Sequence, residues 1–286
     1  MILVIFVDRH VPVVGRRAVG PGSPVSPAPT ILVFDSGLGG LTVFREIVKA
    51  RPHCSYVYVA DDEFFPYGHH SEDAVVGRVV PLIGQLIERH RPAIVVIACN
   101  TASTLVLPHL RAAYAVPFVG TVPAIKPACN ASRSRRVSVL GTRGTVKREY
   151  TQKLIHDFGA GCEVTLVGAA ELPSMAEAAL RGEIVTDDAI RAEVAPCFLD
   201  GKARTDTIVL ACTHFPLLLD RLERVAPWPV DWIDPAPAIA RRTAELLGPQ
   251  SDAAAVPARF ILTSGRSPSR TLAGALKPYF GDLQAA

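Results

Sequence analysis

Two thiols occupy nearly the same local phrase: Cys99 in VVIACNTAS (Val95 to Ser103) and Cys212 in IVLACTHFP (Ile208 to Pro216). Each ends an apolar, β-branched run and is followed at once by small polar residues and a helix start. A lone cysteine at a strand end is ordinarily a small core hydrophobe. Two in matching positions, trailed by Asn100 and Thr101 in one case and Thr213 and His214 in the other, point to chemistry. Backbone N–H groups and the dipole at a helix start favour a thiolate, so both are candidate bases or nucleophiles with lowered pKa. His214 follows Cys212 closely enough to tune that thiol or carry a proton.

Two further loops carry polar groups. In VFDSGLGG, Asp35 and Ser36 follow a strand, and Gly37, Gly39 and Gly40 let the backbone approach a ligand before the helix at Leu41. The spacing fits neither the Walker nor the dinucleotide fingerprint, so no nucleotide is implied. In FFPYGHHSED, Pro66, Tyr67 and Gly68 offer a hydroxyl and a bare N–H to a polar substrate. His69 and His70 lack partners at metal-ligand spacing and read as surface residues, so no metal is expected.

The elements that position these residues alternate. Strands are predicted at Ile31 to Phe34, Tyr56 to Ala60, Ile94 to Ala98, Val137 to Leu140, Val164 to Val167, Thr207 to Ala211, Val230 to Ile233 and Phe260 to Thr263. Most are apolar at nearly every position, as parallel strands buried on both faces must be. Between them SEDAVVGRVVPLIGQLIERH has helical spacing behind a capping Ser71, with a kink expected at Pro81. TVKREYTQKLIHDFG reads as one helix closing on Gly159, and PAIARRTAELLG closes on Gly248. Strand and helix in alternation give an α/β, doubly wound architecture with ligands at the carboxyl ends of the strands. The repeated cysteine phrase implies two similar units facing each other across a cleft, each supplying one thiol.

With 286 residues, 49% of them hydrophobic, the chain is large enough for about two domains. No apolar run approaches the roughly 18 residues of a membrane span, and MILVIFVDRH lacks a basic start and cleavage site, so neither membrane nor export is expected. The net charge of +3 owes much to Arg9, Arg16 and Arg17, leaving the remainder near neutral and arguing against nucleic acid. Six cysteines at irregular spacing without C-x-x-C imply neither zinc nor disulfides, and fit a reducing cytoplasm. Residues 1–29 end in GPGSPVSPAP and read as a flexible leader.

Taken in order, VFDSGLGGLTVFREI, FPYG, VVIACNTAS, VLGTRGTVKREY and IVLACTHFPLL resemble the glutamate racemase pattern within the aspartate/glutamate racemase family, from about Ile31 to Leu247. The resemblance implies a cofactor-independent isomerase that interconverts L- and D-glutamate for peptidoglycan, working in the cytoplasm as a homodimer. By position, Cys99 and Cys212 are similar to its two bases. Asp35 resembles the acid residue beside the first, and His214 the group beside the second. Ser36, Pro66, Tyr67, Gly68, Asn100, Thr101, Thr142, Thr145 and Thr213 fall where the family holds substrate. A family glutamate near the second cysteine maps to MAEAALRGE; Glu177 is the choice, with Glu171 and Glu183 as alternatives. The family layout places one domain at 30–121 plus 233–286 and the other at 122–232.

Two bases have a chemical reason. Inverting a stereocentre by proton transfer requires removal from one face and delivery to the other, whereas a single base returns the proton where it began. The competing readings are a racemase for aspartate or another amino acid, a non-catalytic amino-acid-binding or inhibitory module, and a thiol redox protein.

Overall fold

A computed structural model describes residues 3–6, 28–159, 161–249 and 258–281. Its strands are β1 (Leu3–Phe6), β2 (Thr30–Asp35), β3 (Ser55–Ala60), β4 (Ile94–Ile97), β5 (Phe118–Gly120), β6 (Arg136–Gly141), β7 (Glu163–Gly168), β8 (Thr207–Ala211), β9 (Asp231–Ile233) and β10 (Arg259–Leu262). They form two sheets, in the order β1-β10-β3-β2-β4-β5 and β7-β6-β8-β9. Every pairing is parallel except that of β1, which runs antiparallel along β10.

Alternation along the central strands divides each sheet between two cores. Ile31 and Val33 of β2 pack with Phe44, Tyr58, Phe260 and Phe280, while Leu32 and Phe34 pack with Val79, Ile83 and Ala102 on the opposite face. In β8, Ile208 and Leu210 face Leu172 and Phe215, whereas Val209 and Ala211 face Ile125 and Val139. The Arg270–Phe280 helix, capped by Ser269, stacks Phe280 on Phe44 with ring centroids 5.0 Å apart. The tail beyond β10, where no motif is legible, thus closes the first core.

Three sequence expectations are corrected. Leu3–Phe6, inside the stretch read as a flexible leader, forms an edge strand: LVIF is β-prone and β10 offers an open edge. The rest of that stretch, apart from residues 28 and 29, lies outside the described residues. β5, three residues between prolines, is too short to carry a strand signal. The helix read through TVKREYTQKLIHDFG is two helices, Arg143–Lys147 and Glu149–Phe158, because Arg148 is extended (φ −74, ψ 141). Its carbonyl accepts from the Thr151 and Gln152 N–H groups, so Arg148 caps the second helix while Thr142 caps the first. The Glu72–His90 helix does start at Ser71 and runs through Pro81, which lies on its exposed side.

The strand order fixes where a ligand goes. In the first sheet the chain leaves β2 for β3 on one side, then returns to lay β4 on the other; β6, β7 and β8 repeat the move in the second. Each reversal leaves a crevice beyond the carboxyl ends of adjacent strands. Asp35 ends β2 and Cys99 lies just past β4; Thr142 lies just past β6 and Cys212 just past β8.

Candidate active site

The two crevices meet. Ser36, Pro66, Tyr67, Gly68, Cys99, Asn100, Thr101, Thr142, Cys212, Thr213 and His214 line one narrow cleft, together with Phe65, His69, Ala170 and Pro173. About 30 Å3 is open to water centres, room for roughly two or three waters at 10–15 Å3 each, so a larger ligand must part the walls. Asp35, Glu177 and Thr145 do not line it; they stand behind the lining residues, fully or nearly fully buried.

Around Cys99 the groups are hydroxyls, an amide and a carboxylate. The sulfur caps the Asn100–Ala113 helix, accepting from the Ala102 N–H at 3.4 Å. Asn100 is buried, yet neither its amide nitrogen nor its amide oxygen has a partner among the described residues. A buried amide left unbonded is costly, and one on a cleft wall is placed for a ligand. The Thr101, Thr142 and Thr145 hydroxyls form a triangle with edges of 3.1, 3.0 and 3.5 Å. Asp35 accepts from the Gly37 N–H and, across the sheets, from the Thr213 hydroxyl, each at 3.1 Å.

Around Cys212 the groups form a charged chain. Cys212 Sγ lies 3.8 Å from His214 Nδ1, and His214 Nε2 lies 3.1 Å from Glu177 Oε1. Glu177 also accepts from the Leu38 N–H at 2.7 Å and pairs with Arg181 at 2.9 Å. Glu171 and Glu183, the alternatives to Glu177, are exposed. Burial disfavours a charged His214, but Cys212, Glu177 and Asp35 outweigh it and hold the imidazole well above its ordinary range. A protonated Nε2 donates to Glu177, whereas an unprotonated one accepts from the Gly39 N–H at 3.2 Å. Burial would raise Glu177, yet the His214 contact, the Leu38 N–H and Arg181 bring it below the usual carboxylate range.

The two thiols do not share one environment, and here an expectation fails. Helix-start placement predicts a depressed pKa at both, but burial and then the Asp35 charge push the Cys99 thiol up to about 12, against smaller help from Ser36 and the Ala102 N–H. A single cap hydrogen bond is too little to offset complete desolvation. A negative charge at Asp35 or at Cys212 raises the Cys99 thiol, so the groups sense one another across the cleft.

Two other readings of the sequence are revised. Gly37 and Gly39 make room for the opposite unit and Gly40 for its own, rather than for a ligand: a Cβ on Gly37 would collide with Glu177 Oε1, one on Gly39 with the His214 ring and one on Gly40 with Asp35. The Tyr67 hydroxyl is not free for a substrate, since it donates to Asp61 at 2.6 Å.

The family model for Asp/Glu/Hydantoin racemase matches residues 34–243. The chain belongs to this family. It is 56% identical over 236 residues to the glutamate racemase of Brucella canis, covering 81% of this chain and 85% of that one. Identity to the glutamate racemase of Sinorhizobium medicae is 58% over 220 residues, 76% and 81% of the two chains. The fold is shared with Escherichia coli glutamate racemase, solved with L-glutamate and the activator UDP-MurNAc-ala: TM-score 0.78, 42% identity, covering 91% of this chain and 100% of that one. The family brings an enzyme class, amino-acid racemisation, to a cleft whose two sides each present a thiol.

Sequence reasoning missed Asp61 and Phe65. Asp61, fully buried after β3, accepts from Tyr67, from Arg78 at 2.7 Å and from the Thr263 hydroxyl at 2.6 Å, tying the FPYG loop to the first sheet and to the end of β10. Phe65 packs its ring 5.3 Å from that of His214. The available signal was position: Asp61 follows β3 much as Asp35 ends the neighbouring β2. Among the described residues no helix is long and apolar enough to cross a membrane.

Proposed function

We propose that this protein is a cofactor-independent glutamate racemase that moves the Cα proton between Cys99 and Cys212 and supplies D-glutamate for peptidoglycan. The observation that carries the reading is the single cleft lined by both thiols, one from each sheet, in a member of a racemase family. In one direction the Cys212 thiolate, beside the cationic His214, takes the Cα proton while the Cys99 thiol gives its own to the opposite face. The carbanion-like charge develops toward the α-carboxylate, where fixed donors stabilise it. In the other direction the roles exchange, and each turnover leaves the opposite sulfur protonated.

The environments fit that division. His214, anchored by Glu177, stabilises a thiolate at Cys212. Asp35 and burial keep Cys99 protonated until the substrate ammonium enters and offsets the negative charge nearby. Ser36, Asn100, Thr101, Thr142 and Thr213 hold the ammonium and carboxylate groups, with the unbonded Asn100 amide as the most exacting contact. Pro66 and Gly68 form the wall opposite Thr142, and Thr145 braces the threonine triangle from behind. A homodimer in the cytoplasm belongs to the same reading, and sedimentation of the purified protein tests the dimer.

The deciding experiment follows each glutamate enantiomer in deuterated water, without pyridoxal phosphate. The reading expects inversion with deuterium at Cα and, with aspartate in place of glutamate, little turnover. Binding of glutamate with no Cα exchange would identify a non-catalytic module instead.

A further inference from the structure

The hydrogen bonds joining the two sheet units differ greatly in exposure. Those from Leu38 to Glu177 and from Thr213 to Asp35 are buried. At the opposite flank, Arg148 Nη1 of the second unit donates to Glu72 Oε1 of the first at 3.0 Å. The Glu72 side chain is 69% exposed and that of Arg148 only 10%, so this tie sits at the outer rim.

Arg148 is unusual in three ways. It is the extended residue that breaks a helix in two, which turns its side chain away from the exposed faces of both helices and toward the first unit. Its Nε is buried without a hydrogen-bond partner, although a guanidinium buried merely for packing normally has its N–H groups satisfied. Its Nη2 and the Thr142 hydroxyl both lie within 4 Å of the point where a Cβ on Gly144 would stand, which puts the charge beside the cleft wall. Burial lowers the Arg148 pKa and the Glu72 charge opposes that shift.

Substrate cannot enter a cleft this narrow unless ties across it open, and an exposed ion pair opens more readily than buried bonds. We propose that Arg148 and Glu72 form a latch across the cleft mouth, and that Arg148 is a positioning residue holding the two units closed on bound substrate. The latch acts through the population of the closed state: weakening it raises the apparent dissociation constant in inverse proportion to the closed fraction that remains. It rests on the racemase reading above, whose own test is the wild-type rate.

The test is a double-mutant cycle on the full chain, Glu72→Gln, Arg148→Gln and both together, with steady-state kinetics on each enantiomer at low and high salt. Each single change is expected to raise KM about threefold to tenfold at low salt with kcat kept or increased, because the mouth opens more readily. The double variant should cost no more than either single, and high salt should bring the wild type toward the variants. Reversing the pair, Glu72→Arg with Arg148→Glu, should recover most of the lost kcat/KM.

Additive losses in the double variant, or a reversed pair no better than its component changes, would overturn the latch. A hundredfold loss in kcat with Arg148→Gln beside a wild-type Glu72→Gln would do so too, placing Arg148 on the substrate. Should Arg148→Gln fail to fold, the exposed Glu72→Gln and its salt dependence carry the comparison: a KM unchanged from the wild type at low salt would overturn the latch. If the wild type does not racemise glutamate, the racemase reading fails by itself; faster amide exchange at 71–75 and 143–149 in Glu72→Gln then supports the latch, and unchanged exchange rejects it.

Discussion

The Cys99 and Cys212 sides of the cleft are built from similar strand-turn-helix units and end in opposite electrostatics. Cys99 lies among hydroxyls, an unbonded amide and a buried carboxylate, and its thiol is pushed up to about 12. Cys212 lies beside an imidazole that Glu177 anchors and whose pKa is well above normal. Backbone architecture therefore places a thiol, and the side chains behind it set its electrostatic surroundings. The proposed two-base inversion needs a proton donor facing a proton acceptor.

Breaking either side outright should have the largest effect. Cys99→Ser and Cys212→Ser are each expected to lower racemisation by about 10³-fold or more, measured by polarimetry, since a full acid–base partner is removed. The comparison sharpens in deuterated water: each variant should still exchange the Cα proton of the enantiomer facing its remaining cysteine, without inversion. Exchange of both enantiomers by one variant would break the assignment of one thiol to each face.

Removing the groups behind the thiols comes next. His214→Asn should cost about 10²-fold in the direction that starts at Cys212 and less in the other, and Asp35→Asn should show the opposite bias. Equal losses in both directions would mean that the two sides are not electrically distinct. Asn100→Ala should raise KM about tenfold with a smaller change in kcat, by removing a ligand contact worth about 1–2 kcal/mol.

The pH dependence of stability separates the sides again. The raised His214 contributes stability that is present below its unfolded pKa and lost as pH rises through its folded value. The lowered Glu177 contributes stability above its unfolded pKa, lost as pH falls through its folded value. Their joint contribution is therefore greatest between those limits. Melting temperature against pH should show that plateau in the wild type and lose it in Glu177→Gln. Cys99, pushed up to about 12, adds an alkaline decline beginning near the ordinary thiol pKa, which Cys99→Ser should reduce.

The smallest effect is expected at a hydroxyl turned away from the cleft. Tyr67→Phe removes the 2.6 Å hydrogen bond to the buried Asp61 and should cost about 1–3 kcal/mol of stability by denaturant melt, with little change in kcat.

Much of this was legible in the sequence because it depends on local pattern. Runs such as VVI and IVL, apolar at every position, require strands buried on both faces, and alternation with helical spacing requires a parallel α/β fold. Ser71, Gly159 and Gly248 mark real helix ends. Where a competing bond dominates, pattern fails: the period through TVKREYTQKLIHDFG is helical throughout, yet Arg148 leaves the helix to cap the next one and reach Glu72. Asp61 stayed hidden because its partners Arg78 and Thr263 are remote in the chain.

Residue types and spacing alone determined that two thiols stand past the ends of buried strands, with His214 close behind the second and Asp35 at another strand end, because strand ends and helix starts are local properties of the chain. Only the tertiary structure decided what each thiol feels. Desolvation and charge act through space: Glu177 reaches His214 from another helix of the same unit, Thr213 reaches Asp35 across the two sheets, and neither approach is written in spacing. The same holds for Gly37 and Gly39, whose missing side chains matter only because Glu177 and His214 fill the space from the opposite unit.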